Sequence, residues 1–207
     1  MPDLFARAVR RHFNSAMSSA ALLQDVRALI APGVPFVRHP LGFAYHRLRE
    51  GETGAYMRLH VWTRQTVPVS TPHTHSSDLW SWVLGGTLTN ENWRLVRSAE
   101  HLTPVCDVAH SHGARTAQDR RLVPLVQDGV SVVSAGSSYK VPVGRFHASY
   151  CTTEICVTLV LRAPPAGRLA TVAGLESGPH KARVAAPLAT AELAAIHQLL
   201  TPDESPP

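Results

Sequence analysis

The hydrophobic positions divide the chain into a helical beginning, a long central region of strands and a helical end. Apolar residues recur at helical spacing over residues 4–31, around a polar NSAMSS stretch, and Pro32-Gly33 ends that pattern. From about residue 41, short runs rich in β-branched and aromatic residues follow one another, separated by Gly, Pro, Asn and Ser: FAYHRL, AYMRLHVW, LWSWVL, TLTNENWRLV, RLVPLV, VSVVSA and EICVTLVLR. Such runs are typical of β-strands, and this many of them predict an all-β sandwich or barrel.

The region after the last strand run changes character twice. Residues 163–187 are rich in Pro, Ala and Gly and predict a loop, whereas 188–200 place Leu188, Leu193 and Ile196 at the spacing of a short amphipathic helix. We therefore expect an N-terminal helical arm over 1–40, a β-barrel over 41–165, and a C-terminal loop with a short helix over 166–207. The N-terminal helices have two interpretations, a contact in a homodimer or a cap over the barrel.

Composition narrows the class of protein. The 207 residues are 44% hydrophobic and 17% charged, which is typical of a globular domain with one substantial core. No uninterrupted apolar run reaches the roughly 18 residues of a membrane span, so no membrane association is expected. Three cysteines without a CxxC pair are too few for a disulfide framework and favour the reducing cytoplasm.

The charge and the missing motifs exclude further classes. The net charge of +5 comes from scattered arginines without interleaved aromatic residues, so no nucleic-acid partner is expected. The chain has no GxSxG, GxGxxG or Walker-type loop, so serine hydrolases, dinucleotide enzymes and P-loop proteins lack their usual signals. A small-molecule substrate is the expected partner.

Candidate chemistry lies in the histidines, of which there are twelve. His73 and His75 are two residues apart beside a predicted strand, where residues i and i+2 point to the same side, so both imidazoles can bind one ion. His147 follows Pro142 and Gly144, which make a tight turn that aims the next strand and its histidine inward. These three residues are the candidate metal ligands.

These two segments together resemble the two motifs of the cupin superfamily. The stretch from Gly136 to His147 resembles the second motif, G(x)5PxG(x)2H, at every defined position, and the stretch from His73 through His75 to Gly86 resembles the first. The resemblance covers about residues 41–162. It implies an all-β cupin double-stranded β-helix, or jelly-roll, with a metal near one mouth of the barrel.

The chain departs from the cupin pattern at three positions. Leu79 stands where a metal-binding Glu is common, Cys151 where an Asn often follows the last histidine, and Val67 where the first Gly is usual. The resemblance therefore implies a three-histidine site without a carboxylate ligand at the usual place. Asp78, three residues after His75, has three interpretations: a turn residue at the start of a strand, a group that orients a ligating histidine, or a ligand itself.

Three neutral imidazoles leave a divalent ion with open positions for an anionic substrate and dioxygen. Iron(II) is the first choice of metal, with zinc, nickel, manganese and copper as alternatives. The site resembles that of the thiol dioxygenases, and Arg47 lies upstream of the first motif much as their carboxylate-anchoring arginine does. The catalytic tyrosine of that family follows its last histidine, whereas no tyrosine follows Tyr150 here. The segment HTHSSDLWSWVLGGTLTN also resembles a group of bacterial cupins with the pattern HxHxxDxxSxVLxG.

Three functional hypotheses follow. The first is a non-haem iron(II) oxygenase, dioxygenase-like, acting on a small polar organic acid or amino-acid-like substrate, with Arg47 gripping a carboxylate and Asp78 orienting a ligand. The second uses the metal as a Lewis acid in an isomerase, decarboxylase or lyase without dioxygen. The third is a non-catalytic cupin that binds a small molecule.

Other polar residues have simpler interpretations. Arg47 and Arg58 lie on predicted strands, where an outward, solvated side chain is the default. His60 alternates with Arg58 and Trp62, so it either lines the barrel cavity or is an outward or structural histidine, and the second is the default. Trp80 and Trp82 share one strand face and are expected to pack in a core or to form a pocket wall.

A second HxH pair and the cysteines complete the candidates. His110 and His112 are flanked by segments without a clear strand and are interpreted as loop. Cys151 and Cys156 lie near the last two predicted strands, where a buried, small hydrophobic role is the default for a free cysteine.

Overall fold

The computed structural model describes residues 26–27, 30–39, 41–51, 53–64, 71–98, 100–111, 114–174, 178–180 and 185–200. The strands are β1 (Pro35–Arg38), β2 (Ala44–Glu50), β3 (Tyr56–Thr63), β4 (Leu79–Gly85), β5 (Thr87–Leu95), β6 (Thr103–Ser111), β7 (Ala114–Val123), β8 (Leu125–Ser134), β9 (Ser138–Val141), β10 (Phe146–Cys151), β11 (Ile155–Arg162), β12 (Ala170–Ala173), β13 (Gly178–His180) and β14 (Ala185–Pro187). They are followed by helix α1 (Thr190–Leu200). The predicted all-β fold with a short C-terminal helix is therefore confirmed.

The strands form two antiparallel sheets. The first has the order β14-β1-β2-β3-β11-β4-β9. The second begins with β8-β5-β10 and continues through His73, which bridges His147 on one side and Val172 on the other, to β12-β6-β7-β13. Side chains from both sheets meet in one core, with Trp62 and Val83 from the first sheet against Leu88 from the second.

The strand order is that of a jelly-roll. If residues 71–75 are counted as a short strand, the central strands in chain order are β3, 71–75, β4, β5, β8, β9, β10 and β11. Across the first sheet, neighbouring strands are the first, eighth, third and sixth of this series. Across the second sheet they are the second, seventh, fourth and fifth. Consecutive strands thus cross between facing sheets as two Greek keys require, and the jelly-roll implied by the cupin resemblance is confirmed.

The hairpin of β6 and β7 is an insertion between β5 and β8, and it corrects one prediction. Residues 103–111 and 114–123 pair along most of their length, so the segment that contains His110 is a strand rather than the predicted loop. Its partner β12 comes from the Pro-, Ala- and Gly-rich tail. That tail also contains β13 and β14, so it is not a loop throughout; cross-strand hydrogen bonds hold these short, weakly patterned segments in place.

The outer face of the first sheet is covered by helix. Leu59 and Val61 on β3 pack against Ile196 and Leu200 of α1 in one buried cluster. Val26 and Ile30 belong to the same cluster, and Val26 and Arg27 have helical backbone. Residues 1–25, where most of the predicted N-terminal arm falls, lie outside the described residues. No helix among the described residues is long and apolar enough to cross a membrane.

Gly86 joins the two sheets between β4 and β5. Its φ of 76° lies in the left-handed region, and a Cβ there would be 2.2 Å from the carbonyl oxygen of Ile155. Only glycine tolerates both the dihedral and the close approach. The glycine that closes the first motif in the sequence therefore has a structural reason at this position.

Candidate metal centre and its cavity

His73 and His147 face each other across the bridge that connects residues 71–75 to β10. The backbone N–H of each residue donates to the carbonyl oxygen of the other, with both N···O distances at 2.9 Å. Residues paired in this way project to the same face, and the two imidazole centroids are 4.6 Å apart. His75, two residues after His73, projects to the same side, 5.0 Å from each of the other rings. The predicted cluster of three histidines is therefore present.

The geometry of this cluster suits a shared ion. Each ring offers one nitrogen, and the three nitrogens lie within 4.8 Å of one another. The Nε2 atoms of His75 and His147 are 2.8 Å apart. Among the described histidines, cysteines and acidic residues, this is the group that meets the requirement for a metal site.

Hydrogen bonds on the far side of two rings fix which nitrogen faces the cluster. Nδ1 of His73 lies 3.0 Å from the carbonyl oxygen of Thr71, which only accepts, so Nδ1 carries the proton and Nε2 is left with its lone pair. Nδ1 of His147 lies 3.3 Å from Oγ of Ser149, whose hydroxyl donates to Oδ1 of Asn90 at 2.5 Å. Outer partners of this kind orient ligating histidines in metal proteins.

The predicted tight turn before β10 is present, and a backbone hydrogen bond connects it to the first motif. The backbone N–H of Gly144 donates to the carbonyl oxygen of His75, and Arg145 N–H donates to the carbonyl oxygen of Pro142. Gly144 has a φ of 75°. The tight turn thus places His147 and His75 at one point of the barrel.

Two of the three rings favour the neutral form. Burial lowers the pKa of His75 well below its usual value, and the charges of His147, His73 and Arg162 lower it further. Burial, followed by the charge of His73, also lowers the pKa of His147. Neutral imidazole is the form that binds metal ions, so these two rings are ready to bind at neutral pH.

Asp78 holds the turn rather than joining the cluster. Its Oδ1 accepts the backbone N–H of Val143 at 2.9 Å, and its Oδ2 lies 2.7 Å from Nζ of Lys140. This arrangement fits the interpretation of Asp78 as a turn residue, because both oxygens bind the segment that precedes β10. Leu79 lines the cavity with His75, so an apolar side chain occupies the position of the missing carboxylate ligand.

A cavity of about 710 Å³ opens beside the imidazoles, which is a common size for a small-molecule site. Its lining includes His73 and His75, an apolar wall and four arginines: Arg47, Arg58, Arg162 and Arg168. No Asp or Glu is among the described residues that line it. The cavity is therefore electropositive and favours an anionic ligand.

Arg162 is held by three side-chain hydrogen bonds, and sequence reasoning missed it. Its Nε donates to Oγ of Ser77 at 2.7 Å, its Nη1 to the hydroxyl of Tyr56 at 2.8 Å, and its Nη2 to Oγ of Ser76. All three acceptors are neutral hydroxyls. Arg162 is the last residue of β11. The sequence does contain a signal that could have identified Arg162: it is a charged residue at the end of an otherwise apolar strand.

Arg58 also faces the cavity, which corrects the expectation of an outward side chain. It is 8% exposed, and its guanidinium lies over two aromatic rings, 4.3 Å from the centroid of Tyr45 and 4.0 Å from that of Tyr56. Arg47 is at the exposed edge of the cavity, where its Nη1 donates to Oε2 of Glu50 at 2.5 Å. The alternation of β3 turns Arg58 inward, because Leu59 takes the opposite face under the helix.

His60 and Trp62 continue the inward face of β3. His60 is 6% exposed and lines the cavity, so the interpretation of its side chain as outward-facing is wrong. Trp62 packs in the core and donates from Nε1 to Oγ1 of Thr158 at 3.1 Å. Trp80 and Trp82 pack on another cluster with Leu159 and Leu161, as expected for core residues.

Solved structures that are similar to this chain include three enzymes, all at low identity. Hydroxypropylphosphonic acid epoxidase from S. wedmorenis matches at 13% identity and a TM-score of 0.38, over 62% of this chain and 54% of that chain. An oxalate oxidase matches at 17% identity and a TM-score of 0.40, over 65% and 56%. A variant of oxalate decarboxylase from Bacillus subtilis matches at 11% identity and a TM-score of 0.37, over 63% and 27%.

These likenesses are too remote to transfer an activity or a metal to this chain. The chain spans about half the length of the epoxidase and oxidase structures that it matches. No protein-family model and no curated protein sequence matches the chain. The site is therefore interpreted from its own residues.

The three cysteines are buried and none forms a disulfide, as expected for small hydrophobic residues. Cys151 and Cys156 pack in the core cluster between the sheets. A hydrogen bond with Cys156, with help from Thr153, lowers the pKa of the Cys151 thiol to about 7. The same pairing raises the pKa of Cys156. Of the second HxH pair, His110 is part of β6, whereas His112 lies outside the described residues.

Proposed function

We propose that this protein is a metal-dependent enzyme that acts on a small organic anion, and that it is a non-haem iron(II) oxygenase. One observation supports the proposal above all others. Three imidazoles converge at the wall of a cavity whose described lining contains four arginines and no carboxylate. Such a site combines a place for a cation with a place for an anion.

The residues present fit a divalent ion. Nε2 of His73 and of His147 is turned to the cluster by hydrogen bonds at Nδ1, and burial keeps His75 and His147 neutral. Imidazole suits iron, zinc, copper and nickel, so the donor set permits iron(II) without requiring it. Iron(II) held by these three histidines would supply the activation of dioxygen.

The task of the chain would be to hold the anion beside that ion. Arg162 is positioned by three hydroxyls and lies next in space to Ser76, the residue that follows His75. A guanidinium fixed in this way offers paired donors to a carboxylate. Arg58 adds a second positive charge, which is buried, and Arg47 at the edge remains a candidate for the first contact with the substrate.

Metal analysis tests the first half of the proposal. Protein purified from a native-like host should carry close to one metal per chain, and His147→Ala should lose most of it. His197→Ala, an exposed substitution on α1, is the matched control and should retain the metal. Equal metal content in the wild type and His147→Ala would refute the site.

Oxygen uptake tests the second half. An oxygenase should consume dioxygen with a panel of small organic acids only after iron(II) is added under reducing conditions. Turnover without oxygen in the presence of zinc, nickel or manganese would instead favour the Lewis-acid hypothesis. Ligand binding without turnover under either condition would favour the non-catalytic hypothesis.

A further inference from the structure

His60 is a buried polar residue for which the described structure offers no hydrogen-bond partner. It is 6% exposed, and neither Nδ1 nor Nε2 has a partner among the described residues. An unsatisfied buried polar atom is destabilising, so native structures keep few of them without a reason. A ligand in the cavity is one such reason.

The ring is fixed in place and faces the ligand space. Its centroid lies 4.5 Å from that of Phe43 in a stacked arrangement, with Trp62 at 6.0 Å and Tyr45 at 6.1 Å. His60 lines both the large cavity and a smaller chamber of about 40 Å³, whose walls include His73, His75 and His147. On β3 it lies two residues from Arg58. His60 therefore stands along the cavity wall between the arginines and the metal centre.

The chemistry of the ring narrows what it can bind. Burial, followed by the charge of Arg58, lowers the pKa of His60 well below its usual value, so the ring is neutral at pH 7. A neutral imidazole has one donor and one acceptor, which match a hydroxyl group. An ammonium group fits less well, because the described cavity lining contains four arginines and no carboxylate to balance another positive charge.

We propose that His60 is a positioning residue that hydrogen-bonds a hydroxyl group of the substrate, and that the substrate is a hydroxy acid. The inference rests on the proposed function, since the carboxylate of that acid is held by Arg162 and Arg58. It narrows the substrate from organic acids in general to those that carry a hydroxyl group between the anion and the metal centre.

Three dicarboxylates that differ at one carbon test this inference by calorimetric titration: malate, succinate and aspartate. The wild type should bind malate about 2- to 12-fold more tightly than succinate, because one neutral hydrogen bond contributes a factor of about that size. It should bind aspartate more weakly than succinate. His60→Phe should remove the preference for malate while leaving succinate binding within about twofold. His60→Gln keeps a donor and an acceptor and should retain part of the preference.

The controls separate this inference from the proposed function. His197→Phe on α1 is a matched substitution away from the cavity and should behave as the wild type. Arg162→Gln should weaken malate and succinate together. Equal binding of malate and succinate by the wild type, or a preference that survives in His60→Phe, overturns the role of His60 alone. Failure of all three ligands to bind, or no effect of Arg162→Gln, overturns the proposed anion site as well.

Discussion

The hydroxyl of Ser149 allows a quantitative test of how the metal centre is organised. Its Oγ accepts the Nδ1 proton of His147 at 3.3 Å and donates to Oδ1 of Asn90 at 2.5 Å, in a position that is 3% exposed. Ser149→Ala removes both bonds without touching a proposed ligand. We expect metal affinity to fall because His147 then loses the partner that fixes its tautomer and ring orientation.

The size of the effect follows from the geometry. Loss of such an outer partner typically weakens metal binding by about 10- to 100-fold, or about 1.4–2.7 kcal/mol. Since 3.3 Å is long for a hydrogen bond from a ring nitrogen, we expect the lower end, about 10-fold. The loss of the donor to Asn90 should also reduce the free energy of unfolding by about 1–3 kcal/mol.

The assay is titration of the metal-free protein with cobalt(II), followed by its visible absorption. Ser138→Ala, at an exposed position on β9, is the matched control and should bind as the wild type does. Circular dichroism at the titration temperature checks that each variant is folded. Unchanged cobalt affinity in a folded Ser149→Ala variant would refute the reasoning that this hydroxyl orients His147.

Three further predictions concern stability. Gly86→Ala should lower the free energy of unfolding by about 2–5 kcal/mol in denaturant titrations, since its Cβ would meet backbone atoms. Gly136 has a φ of 82° but open space around it, so Gly136→Ala should lower the free energy of unfolding by only about 1–2 kcal/mol. Equal losses in the two variants would contradict this account. His60 is neutral when folded and protonated when unfolded below pH about 6.5, so it makes the protein less stable as the pH falls below that value. His60→Phe should reduce this decline by up to about 1.4 kcal/mol per pH unit in the metal-free protein. An unchanged pH profile would show that the pKa of His60 is the same in the folded and unfolded protein and would contradict this prediction. Ile196→Ala should cost about 2–5 kcal/mol in thermal or chemical unfolding, and a loss below about 1 kcal/mol would show that α1 is not a true part of the core.

Local patterns were sufficient to predict the centre of the molecule. Alternation and turn residues predicted the all-β fold. The HxH spacing and the Pro142-Gly144 turn marked His73, His75 and His147 as candidate ligands, and the resemblance to the two cupin motifs implied that they form one site. These signals work because they depend on backbone geometry within a few residues: i and i+2 share a side, and a tight turn directs the strand that follows it.

Only the tertiary structure decided which side of a strand faces the cavity. Alternation places Arg58 and His60 on one face of β3, but the helix packed over Leu59 determines that this face is the inner one. Likewise, Arg162 is an anion-binding candidate because hydroxyls more than 80 residues away in the chain hold its guanidinium. The segment of β12 forms a strand because it pairs with the inserted hairpin. Contacts between distant segments settle such questions, and a period of two along one strand contains no information about them.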